Sequence, residues 1–329
     1  MRLKTDSFVV ETNVHFPTDY NLLWDSGRKC LDIILYFSKE YSEIKGWRKL
    51  SNWRRDLKNK MRSVGRASAS GGKGKQYRLR KATTEYLVKA HALSVKLTNE
   101  KESFPVKTEK DIILLVQLDR YLVLLNKHID LVERRLIKGE TIPHQEKIFS
   151  IFEEYTELIK KGKLHPNVEL GKKVAITTDQ FNLIVDYRIM EHESDSEIVI
   201  PLADKILRLF PVHSWSFDKG FYNKESKELL KLFIPKPVMP KKGKLNLLEK
   251  EEESQYSFIK TRYKHSAIES NINELEHRGL DRCPDRGYHH FRRYVGLGVC
   301  AYNLRRIGGH LIEQDRLAVR QEQFAKKRA

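Results

Sequence analysis

Asp6, Asp218 and Glu269 are the side chains of this sequence whose types and settings could do chemistry together. Asp6 lies in the run LKTDSFVV, Asp218 follows HSWSF and precedes KGF, and Glu269 sits in AIESNINEL. Three carboxylates carried on separate elements can hold two divalent ions about 3.5–4 Å apart. One ion then activates an attacking oxygen while the other stabilises the leaving oxygen of an in-line phosphoryl transfer. Hard oxygen donors select Mg2+, with Mn2+ as a substitute, over zinc. The expected cofactor is therefore a pair of Mg2+ ions held by Asp6, Asp218 and Glu269.

Each of the 44 acidic residues taken singly is a solvated charge or a cap by default. Asp218, ahead of Lys219-Gly220, also suits a turn residue that bonds its own backbone. Two rivals stand near the first site. Glu11 has the opposite strand parity to Asp6 and points to the other face, and Asp19, after Pro17-Thr18, reads as a turn or helix cap. Around Glu269 the text is cationic. His265, four residues earlier, shares its helix face, and Arg278, Arg282, Arg286, Arg292 and Arg293 follow. These six are the expected contacts to nucleic-acid phosphates, with a solvated basic face as the plain alternative, and Asn271 reads equally well as surface polar. Cys283 with His289 and His290 lacks the paired spacing of a zinc site.

The elements that must position these groups follow from hydrophobic period. Residues 3–16 are β-branched and aromatic, so a strand or hairpin is expected, ended by Pro17. From Asn21, apolar residues recur at three, four and seven, as on a helix face. Further helices are expected over 76–98, 108–138 and 144–163. The helix over 108–138 carries an apolar stripe of Ile112, Leu115, Leu118, Leu122, Leu125 and Ile129. Arg62–Lys81, small and basic, reads as an exposed flexible loop, and its Gly-Lys pairs do not match a phosphate-cradling loop. Strand text returns near Lys172 in two runs, and SEIVIPLADKILRLF reads as a strand end plus a helix. A strand then leads into Asp218, and KESKELLKLF is a short helix followed by a proline-bounded strand. KKGKLNLLEKEEESQ reads as a charged loop before the helix of Glu269, and a last helix starts near Tyr288. This order predicts an α/β protein, a mixed sheet flanked by helices and interrupted by one large all-helical insertion.

The 329 residues suffice for one large or two modest domains. Lys and Arg number 62 against 44 acidic residues, a formal charge of +18 that favours polyanionic partners. Three scattered cysteines imply no disulfide framework. There is no apolar leader and no run of about 18 apolar residues. The expectation is a cytoplasmic, nucleoid-associated protein with DNA and not a membrane as its partner.

The segments around the three carboxylates resemble DDE transposases of bacterial insertion sequences. The matching text is Asp6-Ser7, Val9-Val10-Glu11, Pro17-Thr18-Asp19, Asp218-Lys219-Gly220-Phe221, Ile268-Glu269 and Asn303-Leu304. Ser7 and Lys219 replace the Thr and Arg usual there. The resemblance implies a ribonuclease-H-like catalytic core from 1–19 and 170–310, a helical insertion over 20–165 and a basic tail over 311–329. It further implies Asp6, Asp218 and Glu269 as catalytic metal ligands, and cleavage and strand transfer of DNA at element ends and target. A homodimer or higher assembly on DNA is expected. Such enzymes carry an N-terminal DNA-binding region, and only five residues precede Asp6 here, so the expectation includes an inactive, truncated remnant. A non-enzymatic basic nucleic-acid-binding protein and a stand-alone metal-dependent nuclease are the alternatives.

Overall fold

Alternation decides the first element. In β1, Arg2–Thr12, Leu3 packs with Ala175, Trp215 and Phe217 in one core, whereas Phe8 and Val10 pack with Val174 and Ile176 in another. Successive side chains of a strand point to opposite faces, so this single 11-residue strand is covered on both sides. It is not a hairpin: the strand ends at Thr12.

The computed structural model describes residues 1–47, 49–160 and 168–326. They divide into two compact units, one of residues 14–154 and one of residues 1–13 with 155–329. The first unit is all-helical among the described residues, with α1 Asp19–Glu40, α2 Leu50–Ala69, α3 Lys75–Glu100 and α4 Glu109–Val132. Leu23, Ile34, Leu57, Leu93 and Leu125 are fully buried in its core. Thr108 caps α4 in a reciprocal box with Asp111. Of the stripe expected on that helix, Leu118, Leu122, Leu125 and Ile129 are buried and Leu115 partly so, but Ile112 is 54% exposed.

The second unit holds β1 and the rest of the sheet. In chain order come β2 Glu157–Lys160, β3 Val168–Thr178, β4 Ile184–Ile189, α5 Val199–Leu207, β5 Ser214–Phe217 and α6 Lys224–Phe233. They are followed by β6 Lys236–Val238, α7 Leu247–Ser254, α8 Tyr256–His265, α9 Ala267–Leu275, β7 Arg282–Cys283 and α10 Tyr288–Lys326. The seven-stranded mixed sheet runs β2-β3-β1-β5-β6, with β4 also on β3 and β7 also on β1. β3 is antiparallel to β1, β2 and β4, while β5 and β7 are parallel to β1, and β6 is parallel to β5. α5 and α6 cover the face of Leu3 and Trp215, and α9 and α10 cover the face of Phe8 and Val10. Gly171 is required by close approach: a Cβ there would stand 2.1 Å from the Val10 carbonyl oxygen.

Several local expectations are corrected. The loop expected over 62–81 is mostly helix, with only residues 70–74 between α2 and α3. Leu50, Leu57 and Val64 bury one side of α2 at seven-residue spacing, so small and basic residues on its other side do not break it. The helix expected over 144–163 is a single tight turn, His144–Glu146, and the chain then reaches β2. Tyr155 packs against Tyr288 and Phe291 just before that strand, so tertiary contact overrides local helical text. Residues 161–163 lie outside the described residues, as does any boundary within 161–167. The charged loop near 247–254 is α7, started by Asn246 and Glu249 in a capping box. No strand precedes α5 within SEIVIP. α10 carries residues 311–326 of the expected tail, and 327–329 lie outside the described residues. No described helix is long and apolar enough to cross a membrane.

Candidate active site

β5 runs parallel to β1 with Thr5 opposite Phe217. The next residue along each chain is Asp6 and Asp218, so the two carboxylates leave neighbouring positions on strands about 4.8 Å apart. Asp218 is still extended, at φ −71° and ψ 165°, and caps the turn Lys219–Phe221, its carboxylate accepting from the Gly220 N–H at 3.4 Å. There β5 ends. The same side of β1 gains its next strand partner among the described residues only at Glu11, where β7 joins. Asp6 thus sits beside a gap in the sheet.

Glu269 approaches from the helical layer. Ile268, Ile272 and Leu275 of α9 share a core with Phe8 and Val10, the neighbours of Asp6 on its own face. Glu269, one step off that buried row, is exposed in the first turn of α9. Burial raises the Asp6 carboxyl to about 7. The Ser7 N–H, donating to it at 2.7 Å, opposes that rise, and the charges of Asp218, Asp195 and Glu269 add to it. Asp218 and Glu269 thus both bear electrostatically on Asp6. Among the described residues, however, no three His, Cys, Asp or Glu side chains are gathered tightly enough to hold a metal ion as they stand.

His265 ends α8 on this same face. Its Nδ1 is 3.0 Å from the Ser216 hydroxyl, and its Nε2 is buried without a partner. Burial lowers its pKa to about 4, against the pull of Asp218. That direction favours the neutral ring. Among the described residues, none of the other expected contacts is ion-paired with Asp6, Asp218 or Glu269. Arg278 pairs with Glu274 at 3.1 Å and Arg282 with Glu11 at 2.7 Å. Glu11 is five residues along β1 from Asp6, about 16 Å at strand spacing. Arg292 and Arg293 line a cleft of about 680 Å3 with Tyr187, Asp186 and Glu191. Arg286 is exposed. The rival Asp19 is paired with Arg135 at 2.7 Å, and its helix is capped by Thr18.

One residue beside the aspartates, Asp195, carries no sequence signal. Asp195, between β4 and α5, accepts from the Ser7 hydroxyl at 2.7 Å and from Lys173 at 3.0 Å. A Cβ on Gly220 would lie 3.1 Å from the Asp195 carboxylate. Asp195 thereby packs against both segments that carry the aspartates. Asn271 is buried and not surface polar, donating to Asn182 at 3.4 Å. Asn303 accepts from the Ile184 N–H and donates to its carbonyl, each at 2.8 Å, tying α10 to the start of β4. No family model, no curated protein and no solved structure matches this chain.

Proposed function

We propose that this chain is the catalytic part of a DNA transposase, cutting and joining phosphodiesters through divalent metal ions held by Asp6, Asp218 and Glu269. The observation that carries the reading is the continuation of the β1·β5 register into adjacent Asp6 and Asp218, with the helix of Glu269 on the same face. Strand order supports a ribonuclease-H-like core. β4, β3 and β1 are successively antiparallel, and β5 and β6 continue parallel to β1.

The donor set suits Mg2+ or Mn2+, being hard carboxylate oxygen. The charge on Asp6 is opposed by burial and by three other carboxylates, so a cation would relieve an existing electrostatic cost. When bound, such ions supply Lewis-acid activation of the attacking oxygen and stabilisation of the leaving one. The protein's own part is positional. β1 and β5 set Asp6 and Asp218 at adjacent strand positions, α9 carries Glu269 in its first turn, and the Ser7 backbone N–H donates to the Asp6 carboxyl. Phosphodiester exchange then needs no protein nucleophile and no ATP, because placement and charge stabilisation supply the catalysis.

The test is Mg2+-dependent cleavage and strand transfer by the purified chain on DNA ends. Asp218→Asn and Glu269→Gln should each abolish both steps, a loss of at least about 100-fold for groups that stabilise transition-state charge. Activity that survives both substitutions contradicts the proposal. Cleavage without joining assigns the site to a nuclease instead.

A further inference from the structure

We infer that the α2–α3 hairpin of the helical unit is a sequence-independent grip on the phosphate backbone of duplex DNA, distinct from the C-terminal arginines. The inference takes its ligand from the proposed function but rests on a different part of the chain. Residues 49–81 contain twelve Lys or Arg and one carboxylate, Asp56. Two of those cations are neutralised, Arg54 by Asp32 at 2.8 Å and Lys60 by Glu85 at 3.3 Å, while Asp56 is paired with Lys89. Arg55, Lys58, Arg62 and Arg66 are exposed and have no carboxylate partner among the described residues.

These four are arranged, not scattered. At 100° per residue they fall within about 80° of one another on α2, opposite the buried Leu50, Leu57 and Val64. The stripe is about 16 Å long at 1.5 Å per residue. Cations three and four residues apart on one helix face destabilise it, and here no acidic residue lies on that face, Asp56 being turned about 100° away from Arg55. A solvated face selected for helix stability would alternate charge, whereas a polyanion laid along the stripe relieves the repulsion and releases its own counterions.

The turn extends the surface. Gly72 and Gly74 take left-handed φ of +81° and +84°. Arg78 folds back to donate to the Gly71 carbonyl at 2.9 Å and the Lys73 carbonyl at 3.3 Å. Arg78 thus shapes the turn, leaving Lys73, Lys75, Arg80 and Lys81 exposed around it.

The experiment measures affinity of the full chain for a short random-sequence DNA duplex across a salt series. The comparison is with a variant carrying Arg55→Gln, Lys58→Gln, Arg62→Gln and Arg66→Gln, all on an exposed helix face. The slope of log K against log salt should shrink by about 3–4, close to 0.9 for each phosphate contact removed, with the circular dichroism spectrum unchanged. Arg292→Gln with Arg293→Gln should change the slope by less than about 2, the limit for two contacts. A quadruple variant that keeps the wild-type slope overturns the inference. A wild-type chain that does not bind the duplex overturns the proposed partner as well, so the two failures are told apart.

Discussion

Asp6 is the central residue of the proposed chemistry, and its environment makes a thermodynamic prediction. Burial, with repulsion from Asp218, Asp195 and Glu269, raises its carboxyl from 3.8 to about 7. Between those values the folded chain binds a proton that the unfolded chain has released. Stability associated with this group is therefore fully present below pH 3.8 and lost as pH rises through 7. Asp6→Asn should raise the melting temperature at pH 8 by at least about 2–4 °C, the size of about 1 kcal/mol in a unit of this length, the full rise from 3.8 to about 7 corresponding to roughly 4 kcal/mol. At pH 4 it should leave the melting temperature unchanged. An Asn variant that is less stable at pH 8 would mean the carboxylate is compensated, not strained. Asp6 and Asp218 were legible in the sequence because each carries a local mark, a β-rich run in one case and a strand-to-turn text in the other. Asp195 carries none. Its place beside Ser7, Lys173 and Gly220 is created by the fold, and no spacing within its own loop announces it.

At the scale of elements, the strands and their supporting helices could be read wherever one face is buried at a regular period. The period of α9 put Ile268, Ile272 and Leu275 in the core, and they are there. Reading failed where composition outweighed period. Residues 62–69 look like a basic loop, yet Val64 continues the Leu50–Leu57 row and the helix runs on. It failed again at β2, where Glu157–Lys160 has helix-compatible residues but pairs with β3 from Gly171 to Val168. Gly171, opposite Glu157 of β2, also lies opposite Glu11 of β1. Gly171→Ala would drive a methyl into the Val10 carbonyl. The expected cost is about 1–3 kcal/mol or more, the range for overpacking a rigid site. Thermal melting of the purified variant should show this destabilisation, and a melting temperature equal to wild type would show that the strands part there without penalty.

For the whole molecule, net charge and sheet order speak to different questions. The charge of +18 favours polyanionic partners without locating a surface for them, and it could not show that twelve cations crowd residues 49–81 with a single carboxylate. The order of the sheet was not deducible from strand text alone, because pairing between β1 and β5 spans more than 200 residues of chain. Only that pairing puts Asp6 next to Asp218. The central claim is that this juxtaposition, completed by Glu269, is a divalent-metal site. Its most direct test is an anomalous diffraction map from crystals of the chain soaked in Mn2+. The account predicts density peaks between the carboxylates of Asp6, Asp218 and Glu269, lost on Asp218→Asn. Peaks elsewhere, or none at a Mn2+ concentration that supports DNA cleavage, would contradict it.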